Sequence, residues 1–116
     1  TFGGNPVIAA ACLATLREIR DSKLLTEISK KEALFRAELD HPKINSIQGK
    51  GLMLAPMLEN AEIANLVVLK CIEKGLILFW LLWEKKALRI SPPLTITEKE
   101  IKKGCAIIRS VLDEIS

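Results

Sequence analysis

The fold is decided by the stretch from Ala87 to Glu100, which reads ALRISPPLTITEKE. In its first half, Leu88 and Ile90 alternate with polar residues, and this period of two predicts a short strand. The alternation turns Arg89 to the face opposite these two apolar side chains. We therefore expect one cation at a fixed place on one face of a strand, although most arginines are simply solvated.

The second half of the stretch ends the strand and starts a helix. Pro92 and Pro93 have no N–H to donate to a sheet, so the strand ends before them. Thr97 stands three residues before Glu100, the spacing of a capping box, and predicts a helix over about 98–115. A clear apolar stripe supports this helix: Ile101, Cys105, Ile108, Leu112 and Ile115.

Caps and turns predict the other elements. Asn5 with Pro6 starts a first helix, Ser22 and Asn60 cap two more, and Gly75 ends the third. The expected order is helices over about 7–20 and 23–39, strands over 44–48 and 52–58, a helix to about 74, a strand over 76–83, the Arg89 strand and the last helix. This α-α-β-β-α-β-β-α order predicts an α+β fold, a small and mostly antiparallel sheet with helices packed on one face.

Some residues are expected in particular environments. The continuous apolar run 76–83 is typical of a strand covered on both faces, and Pro56 predicts an edge or a bulge. The solvated face of the second helix is expected to carry Lys30, Lys31, Arg36 and Glu38. Three well-separated cysteines in apolar helical patterns predict buried free thiols, namely Cys12, Cys71 and Cys105.

Composition excludes several classes of function. At 116 residues, 49% hydrophobic and 27% charged, the chain has the length and composition of one folded domain. Its 17 lysines and arginines are dispersed, which argues against a nucleic-acid surface. The single histidine, His41, lies in an expected loop, so neither a metal cluster nor a nucleophile–histidine pair is predicted. No signal peptide or membrane-spanning run is evident, so we expect a cytoplasmic protein.

The start of the chain suggests a fragment. It begins Thr1-Phe2-Gly3-Gly4 without an initiator methionine. We expect residues 1–21 to be a connecting segment and helix from a missing large domain, and residues 22–116 to be a C-terminal small domain. A hydroxyl beside glycine amides just ahead of a helix can hold a phosphate, but an ordinary capped turn explains the same pattern.

Three segments together resemble a known family. TFGGNPV at 1–7, GKGLM at 49–53 and LRISPPLTI at 88–96 have the order and spacing of class-III pyridoxal-phosphate-dependent aminotransferases. This family includes the acetylornithine, ornithine and 4-aminobutyrate aminotransferases. The resemblance covers essentially the whole chain, as the C-terminal quarter to third of such an enzyme of fold type I.

The resemblance implies roles for two residues. Thr1 matches the threonine that binds the phosphate of pyridoxal 5'-phosphate in the partner subunit's active site, which implies a homodimer. Arg89 matches the arginine that binds the substrate carboxylate in acetylornithine-type members and can pair with an enzyme glutamate in the other types. The substrates would be an amino acid, ornithine- or acetylornithine-like, and a 2-oxo acid. The Schiff-base lysine would lie upstream of Thr1, so we expect this fragment to be inactive alone.

The chain also departs from the family. Ala55 replaces a frequent glycine, and the apolar run 76–83 is unusual in this region. Trp80 or Trp83 would line a substrate entrance, or, in the interpretation we favour, fill the core or a domain interface. The alternatives are a free-standing, non-catalytic α+β binding or assembly module, and an aminomutase or decarboxylase of the same superfamily.

Overall fold

The structure, a computed structural model, describes residues 1–115, and its elements follow the predicted order. The helices and strands are α1 (Pro6–Asp21), α2 (Leu24–Glu38), β1 (Ser46–Lys50), β2 (Met53–Met57), α3 (Ala61–Glu73), β3 (Phe79–Trp80), β4 (Leu88–Arg89) and α4 (Glu98–Glu114). All strand pairing among them is antiparallel. The predicted α+β fold class is confirmed.

Local signals fix the starts of α1, α3 and α4 as predicted, whereas α2 begins after Lys23, which makes no side-chain cap, and not directly after the predicted cap Ser22. The Asn5 side chain accepts hydrogen bonds at the start of α1, and the Asn60 side chain does so at the start of α3. At α4, the Thr97 amide donates to the Glu100 carboxylate at 2.8 Å, and the Glu100 amide donates to the Thr97 hydroxyl at 3.3 Å, which completes the capping box. Each cap satisfies amides that have no partner within the helix.

Gly75 ends α3 with a left-handed turn at φ 82°. Its amide donates to the Ile72 carbonyl at 2.9 Å, and the Leu76 amide donates to the Cys71 carbonyl at 2.8 Å. These two bonds form a Schellman motif, which satisfies the last carbonyls of the helix.

The core lies between the sheet and helices α2, α3 and α4. α4 packs against both α2 and α3, and its predicted apolar stripe is buried along its whole length, from Ile101 to Ile115. Burying one such aliphatic side chain contributes about 1.5–3 kcal/mol. The stripe faces a core that includes Leu39, Leu58, Val67, Val68, Leu88 and Ile90.

The sheet consists of two hairpins that meet along β2 and β4. β1 pairs with β2, and β3 pairs with β4. Leu54 and Ile90 exchange two backbone hydrogen bonds of 2.9 Å each, and the Leu58 amide donates to the Lys86 carbonyl at 2.9 Å. Pro56 stands midway between these two donors and has no N–H, so the pairing with β4 is interrupted at this residue.

Gly49 lets the strands of the first hairpin approach closely. Its φ is +94°, and a Cβ built on it would lie 2.0 Å from the Met53 carbonyl oxygen. Any side chain at this position would therefore collide with backbone, and glycine fits because it has none.

Of the four polar side chains predicted on the solvated face of α2, Lys30 is exposed as predicted, whereas Lys31 is buried and Arg36 and Glu38 are partly buried. Lys31 is only 6% exposed, and its ammonium group donates to the Leu94 carbonyl at 2.8 Å. Arg36 donates to the backbone carbonyls of Ile47 and Gly49 at 2.7 and 2.9 Å. The prediction was wrong for Lys31 and Arg36 because these side chains bind carbonyls outside α2, and helical periodicity cannot reveal such partners.

The structure corrects the expected burial of the Cys12 thiol on α1. No residue of this helix is buried, and Cys12 is exposed, whereas Cys71 and Cys105 are buried as predicted. The alanine-rich sequence of α1 permits close packing, but within residues 1–115 this helix contacts α2 only sparsely. The prediction of a buried thiol at Cys12 is therefore corrected.

The apolar run 76–83 is not a strand covered on both faces. Only Phe79–Trp80 is paired, and Trp80 and Trp83 are 41% and 94% exposed. The proposed filling of the core by these tryptophans is therefore wrong in the described chain, while a role at a domain interface stays a prediction. The run failed as a strand signal because β4 offers it only a two-residue partner.

Candidate functional site

β4 places Arg89 on the outer face of the sheet. Its neighbours Leu88 and Ile90 are buried, at 0% and 5% exposure, while Arg89 itself is exposed. This arrangement confirms the alternation read from the sequence. Within residues 1–115, the Arg89 guanidinium has no hydrogen-bond partner and no ion-pair partner.

The strand registers align four residues in one row across the sheet. Gln48 pairs with Ala55, and Phe79 pairs with Arg89. The Leu54–Ile90 bridge is antiparallel, so Ala55 stands directly beside Arg89. Residues opposite each other in an antiparallel pair lie on the same face. We call this row, Gln48–Ala55–Arg89–Phe79, the outer row.

The outer row leaves space for a ligand at Arg89. Ala55 has only a methyl group, so one side of the arginine is open, while Phe79 bounds the other side. A guanidinium presents its N–H groups as a planar fork that matches a carboxylate in two parallel hydrogen bonds. A partnerless arginine beside a small residue is therefore suited to bind a carboxylate from solution.

The loop after Arg89 is anchored to the helices. Pro92 and Pro93 restrict its backbone, and the Ile96 amide donates to the Pro93 carbonyl at 3.0 Å. The buried Lys31 holds the Leu94 carbonyl from α2. These contacts hold the end of β4, and with it the backbone of Arg89, in a defined position.

A cleft of about 470 Å³ lies beside β4, between the segment 76–79 and α4. α4 contributes Ile101, Gly104, Cys105 and Ile108 to its walls, and Arg89 is at its rim. Arg89 and its cross-strand partner Phe79 are both among the residues that line this cleft. The rest of the lining is mostly apolar, with Ser91 and Glu100 as its other polar members.

The second predicted site residue, Thr1, lies in an exposed turn before α1. Side chains added at Gly3 or Gly4 would meet no atom within 4 Å, so this turn is open to a ligand. However, the Asn5 carboxamide oxygen already accepts from the Val7 and Ile8 amides at 3.0 and 3.2 Å. A phosphate here would use the Thr1 hydroxyl and the glycine amides, rather than the first amides of the helix.

The structure does not bring Thr1 and Arg89 together. All residues from 1 to 18 are exposed, and no hydrogen bond within residues 1–115 connects the Thr1 turn with the outer row. Each residue is suited to one contact with a ligand: the Thr1 hydroxyl with a phosphate, and the Arg89 guanidinium with a carboxylate. They do not together make a complete cofactor site.

Other chemistry-bearing residues have structural roles. Residues 1–115 contain no group of side chains arranged to hold a metal ion. His41 contacts Asp113 at 3.0 Å and accepts from the Lys43 amide at 3.2 Å, which ties the loop after α2 to α4. Burial raises the pKa of the Cys71 thiol to about 11 and that of Cys105 to about 12, so neither is a nucleophile near neutral pH.

Sequence reasoning missed Gln48 and Phe79 as neighbours of Arg89. Both residues belong to the outer row only through strand register, and register depends on pairing between segments that are far apart in sequence. The one available signal was the alternation around Arg89, which gives its face but not its neighbours. Among residues 1–115, none of the helices has the length and hydrophobicity that a membrane span requires.

Known proteins match nearly the whole length of this chain. The class-III aminotransferase family profile matches residues 1–112. Acetylornithine aminotransferase of Caldanaerobacter subterraneus subsp. tengcongensis is 39% identical, over 99% of this chain and 30% of its own length. Ornithine aminotransferase of Emericella nidulans is 30% identical, over 99% of this chain and 26% of its own length.

A solved structure shows the same fold. Acetylornithine aminotransferase from Elizabethkingia anophelis superposes with a TM-score of 0.86 at 31% identity, covering 99% of this chain and 32% of its own. The chain thus spans about 30% of the length of the proteins it matches. The family match includes the Thr1 turn, the β1–β2 hairpin and the Arg89 strand. On this evidence, the chain belongs to the class-III aminotransferase family.

Proposed function

We propose that this chain is the C-terminal small domain of a pyridoxal-phosphate-dependent aminotransferase. Residues 1–21 connect it to a large domain, and residues 22–116 form the small domain itself. Support comes from α1, which has no buried residue of its own, and from relatives that are about three times longer than this chain. The complete enzyme is cytoplasmic and moves an amino group from an amino acid to a 2-oxo acid.

Arg89 binds the carboxylate of the amino-acid substrate. The observation that carries this assignment is an exposed arginine between two buried strand residues, with no acidic partner in residues 1–115. An arginine already paired with a glutamate would have to lose that partner first. An unpaired guanidinium on an anchored strand can instead orient a substrate at once, which lowers the entropic cost of reaching the reactive geometry.

Thr1 donates a hydrogen bond to the phosphate of pyridoxal 5'-phosphate in the partner subunit of a homodimer. The open turn around Gly3 and Gly4 leaves its hydroxyl accessible, which is what a contact across a subunit boundary requires. The cofactor, when bound, supplies the electron sink for the reaction. The Schiff-base lysine lies outside this chain, so the chain alone does not catalyse transamination.

The amino donor is ornithine-like or acetylornithine-like. Relatives named for acetylornithine and ornithine match nearly the whole chain. The outer row is compatible with these donors because both of them carry the carboxylate that Arg89 is proposed to bind.

The decisive experiment replaces Arg89 in the complete enzyme that contains this chain. A hydrogen bond to a charged group contributes about 1.5–3 kcal/mol, and about 1.4 kcal/mol is a tenfold change. Arg89→Ala should therefore raise the KM for the amino acid roughly 10- to 100-fold, while the absorption spectrum of the bound cofactor stays unchanged. Lys85→Ala removes the same charge from the β3–β4 turn and should leave KM unchanged.

An unaltered KM in the Arg89→Ala enzyme would refute the assignment of Arg89. The assignment of Thr1 is tested in the same preparation by the affinity for the cofactor. Thr1→Val should weaken cofactor binding and Thr1→Ser should retain it, since only the hydroxyl is needed. Equal affinities in the two variants would contradict the proposed phosphate contact.

A further inference from the structure

Phe79 is the direct cross-strand partner of Arg89. The β3–β4 register pairs these two residues, as it pairs Trp80 with Leu88. Opposed residues of an antiparallel pair share a face, with Cβ atoms about 4.5–5.5 Å apart. Phe79 is 54% exposed, and it lines the same cleft as Arg89, so the register and the shared cleft both place the two side chains next to each other.

No other side chain of the outer row can hold the arginine. Ala55, on the opposite side of Arg89, offers only a methyl group, and Gln48 is one strand further away. An arginine side chain has many rotamers, and an exposed one is free to sample them unless something packs against it. A carboxylate site needs the guanidinium in one orientation, so the ring of Phe79 is the group available to fix it.

We propose that Phe79 is a positioning residue that holds the Arg89 guanidinium for carboxylate binding. The inference rests on the proposed function of Arg89 and extends it. A guanidinium stacks flat on an aromatic face through cation–π attraction, and this leaves the N–H groups at its edge free. The ring fixes the plane of the fork, and the open side above Ala55 admits the carboxylate.

The neighbours of Phe79 do not share this position. Trp80 is opposite the fully buried Leu88 and therefore faces the helices. Ile77 is two residues before Phe79 and is 76% exposed, but it lies outside β3, is not paired with Arg89 and has no ring. Ile77→Ala is therefore a matched control for loss of an exposed apolar side chain from the same segment.

The test uses the complete enzyme with its cofactor. Phe79→Ala should raise the KM for the amino acid about 2- to 5-fold with kcat changed less than about twofold, because a cation–π contact at an exposed site is weaker than the carboxylate pair. Phe79→Tyr should retain the normal KM, and Phe79→Leu should behave as Phe79→Ala. Ile77→Ala should have no effect.

Two further measurements separate positioning from packing. In an Arg89→Ala background, Phe79→Ala should cause no additional rise in KM, since its effect passes through the arginine. With a straight-chain primary amine that lacks the carboxylate, Phe79→Ala should have no effect on KM. The unfolding midpoints of the variants should match, which shows that each is folded.

The proposal fails if Phe79→Ala leaves KM unchanged, or if Phe79→Leu retains the normal KM. It also fails if the effect persists without Arg89 or with the amine that lacks a carboxylate. If Arg89→Ala itself leaves KM unchanged, the proposed function of Arg89 is refuted first. An effect of Arg89→Ala without an effect of Phe79→Ala refutes only the inference about the ring.

Discussion

Lys31→Met removes a buried charge that links α2 to the loop after the Arg89 strand. The Lys31 ammonium donates to the Leu94 carbonyl at 2.8 Å and lies 3.3 Å from the Glu27 carboxylate. Methionine has a similar length and fills the same space, so the change removes the polar contacts and retains the packing.

The expected loss follows from these contacts. A hydrogen bond from a charged donor contributes about 1.5–3 kcal/mol, whereas the ion pair adds little because the Glu27 side chain is 53% exposed. Methionine offsets part of the loss because it costs no desolvation of a charge. We expect a net decrease of about 1–2 kcal/mol in the free energy of unfolding, or about 4–8 °C in Tm for a domain of this size.

Urea and thermal unfolding of the purified protein at pH 7 measure this loss. Lys30→Met is the matched control, because Lys30 directly precedes Lys31 in the same helix. Its ion pair with Glu98, at 2.6 Å, is exposed. The control should change the midpoint much less, and high salt should abolish its effect. If Lys31→Met were as stable as the control, the link between α2 and Leu94 would not stabilise the fold.

Two other predictions concern titratable groups. The Gly51 amide, and then Arg36, lower the pKa of Glu32 from its ordinary value of 4.5. A carboxylate with a lowered pKa stabilises the fold above its ordinary pKa and loses this effect as the pH falls through the folded value. The wild type should therefore be more stable than Glu32→Gln at pH 7, and the difference in unfolding midpoint should shrink below about pH 4.5; a constant difference would contradict this. In the native protein, a thiol reagent at pH 8 should label Cys12 quickly and label the other two cysteines only after unfolding, since these two are buried with raised pKa values. Mass spectrometry identifies the labelled residues, and rapid labelling of Cys71 or Cys105 would show that the core opens readily.

Sequence reasoning succeeded where the signal is local. The caps at Asn5, Asn60 and Thr97 depend on residues within three positions of each other, and all three are as predicted. The apolar stripe of α4 and the exposed face of Arg89 also follow from short-range periodicity. For these features the physical cause lies within one turn of helix or one strand.

It failed where the partner is distant or absent from the described chain. Lys31 binds a carbonyl 63 positions away, and the pattern of α2 alone cannot reveal this. The apolar sequence of residues 76–83 indicates that these side chains favour burial, but it does not identify the surface that would cover them. The neighbours of Arg89 required the strand register, which no single segment contains.

The pairing of Leu54 with Ile90 determines which residue faces outward on β4. Successive strand residues alternate between two faces, so the position of the charge depends on whether its distance from this bridge is odd or even. Arg89 is one residue from this bridge, and Phe79 is the partner of Arg89 in the β3–β4 pairing. Replacing residues in the turn at 84–86 preserves this parity, whereas inserting one residue between Arg89 and Ile90 reverses it and turns the cation toward the core. The outward position of Arg89 is in this respect tolerant of substitution in the turn and intolerant of an insertion between Arg89 and the bridge.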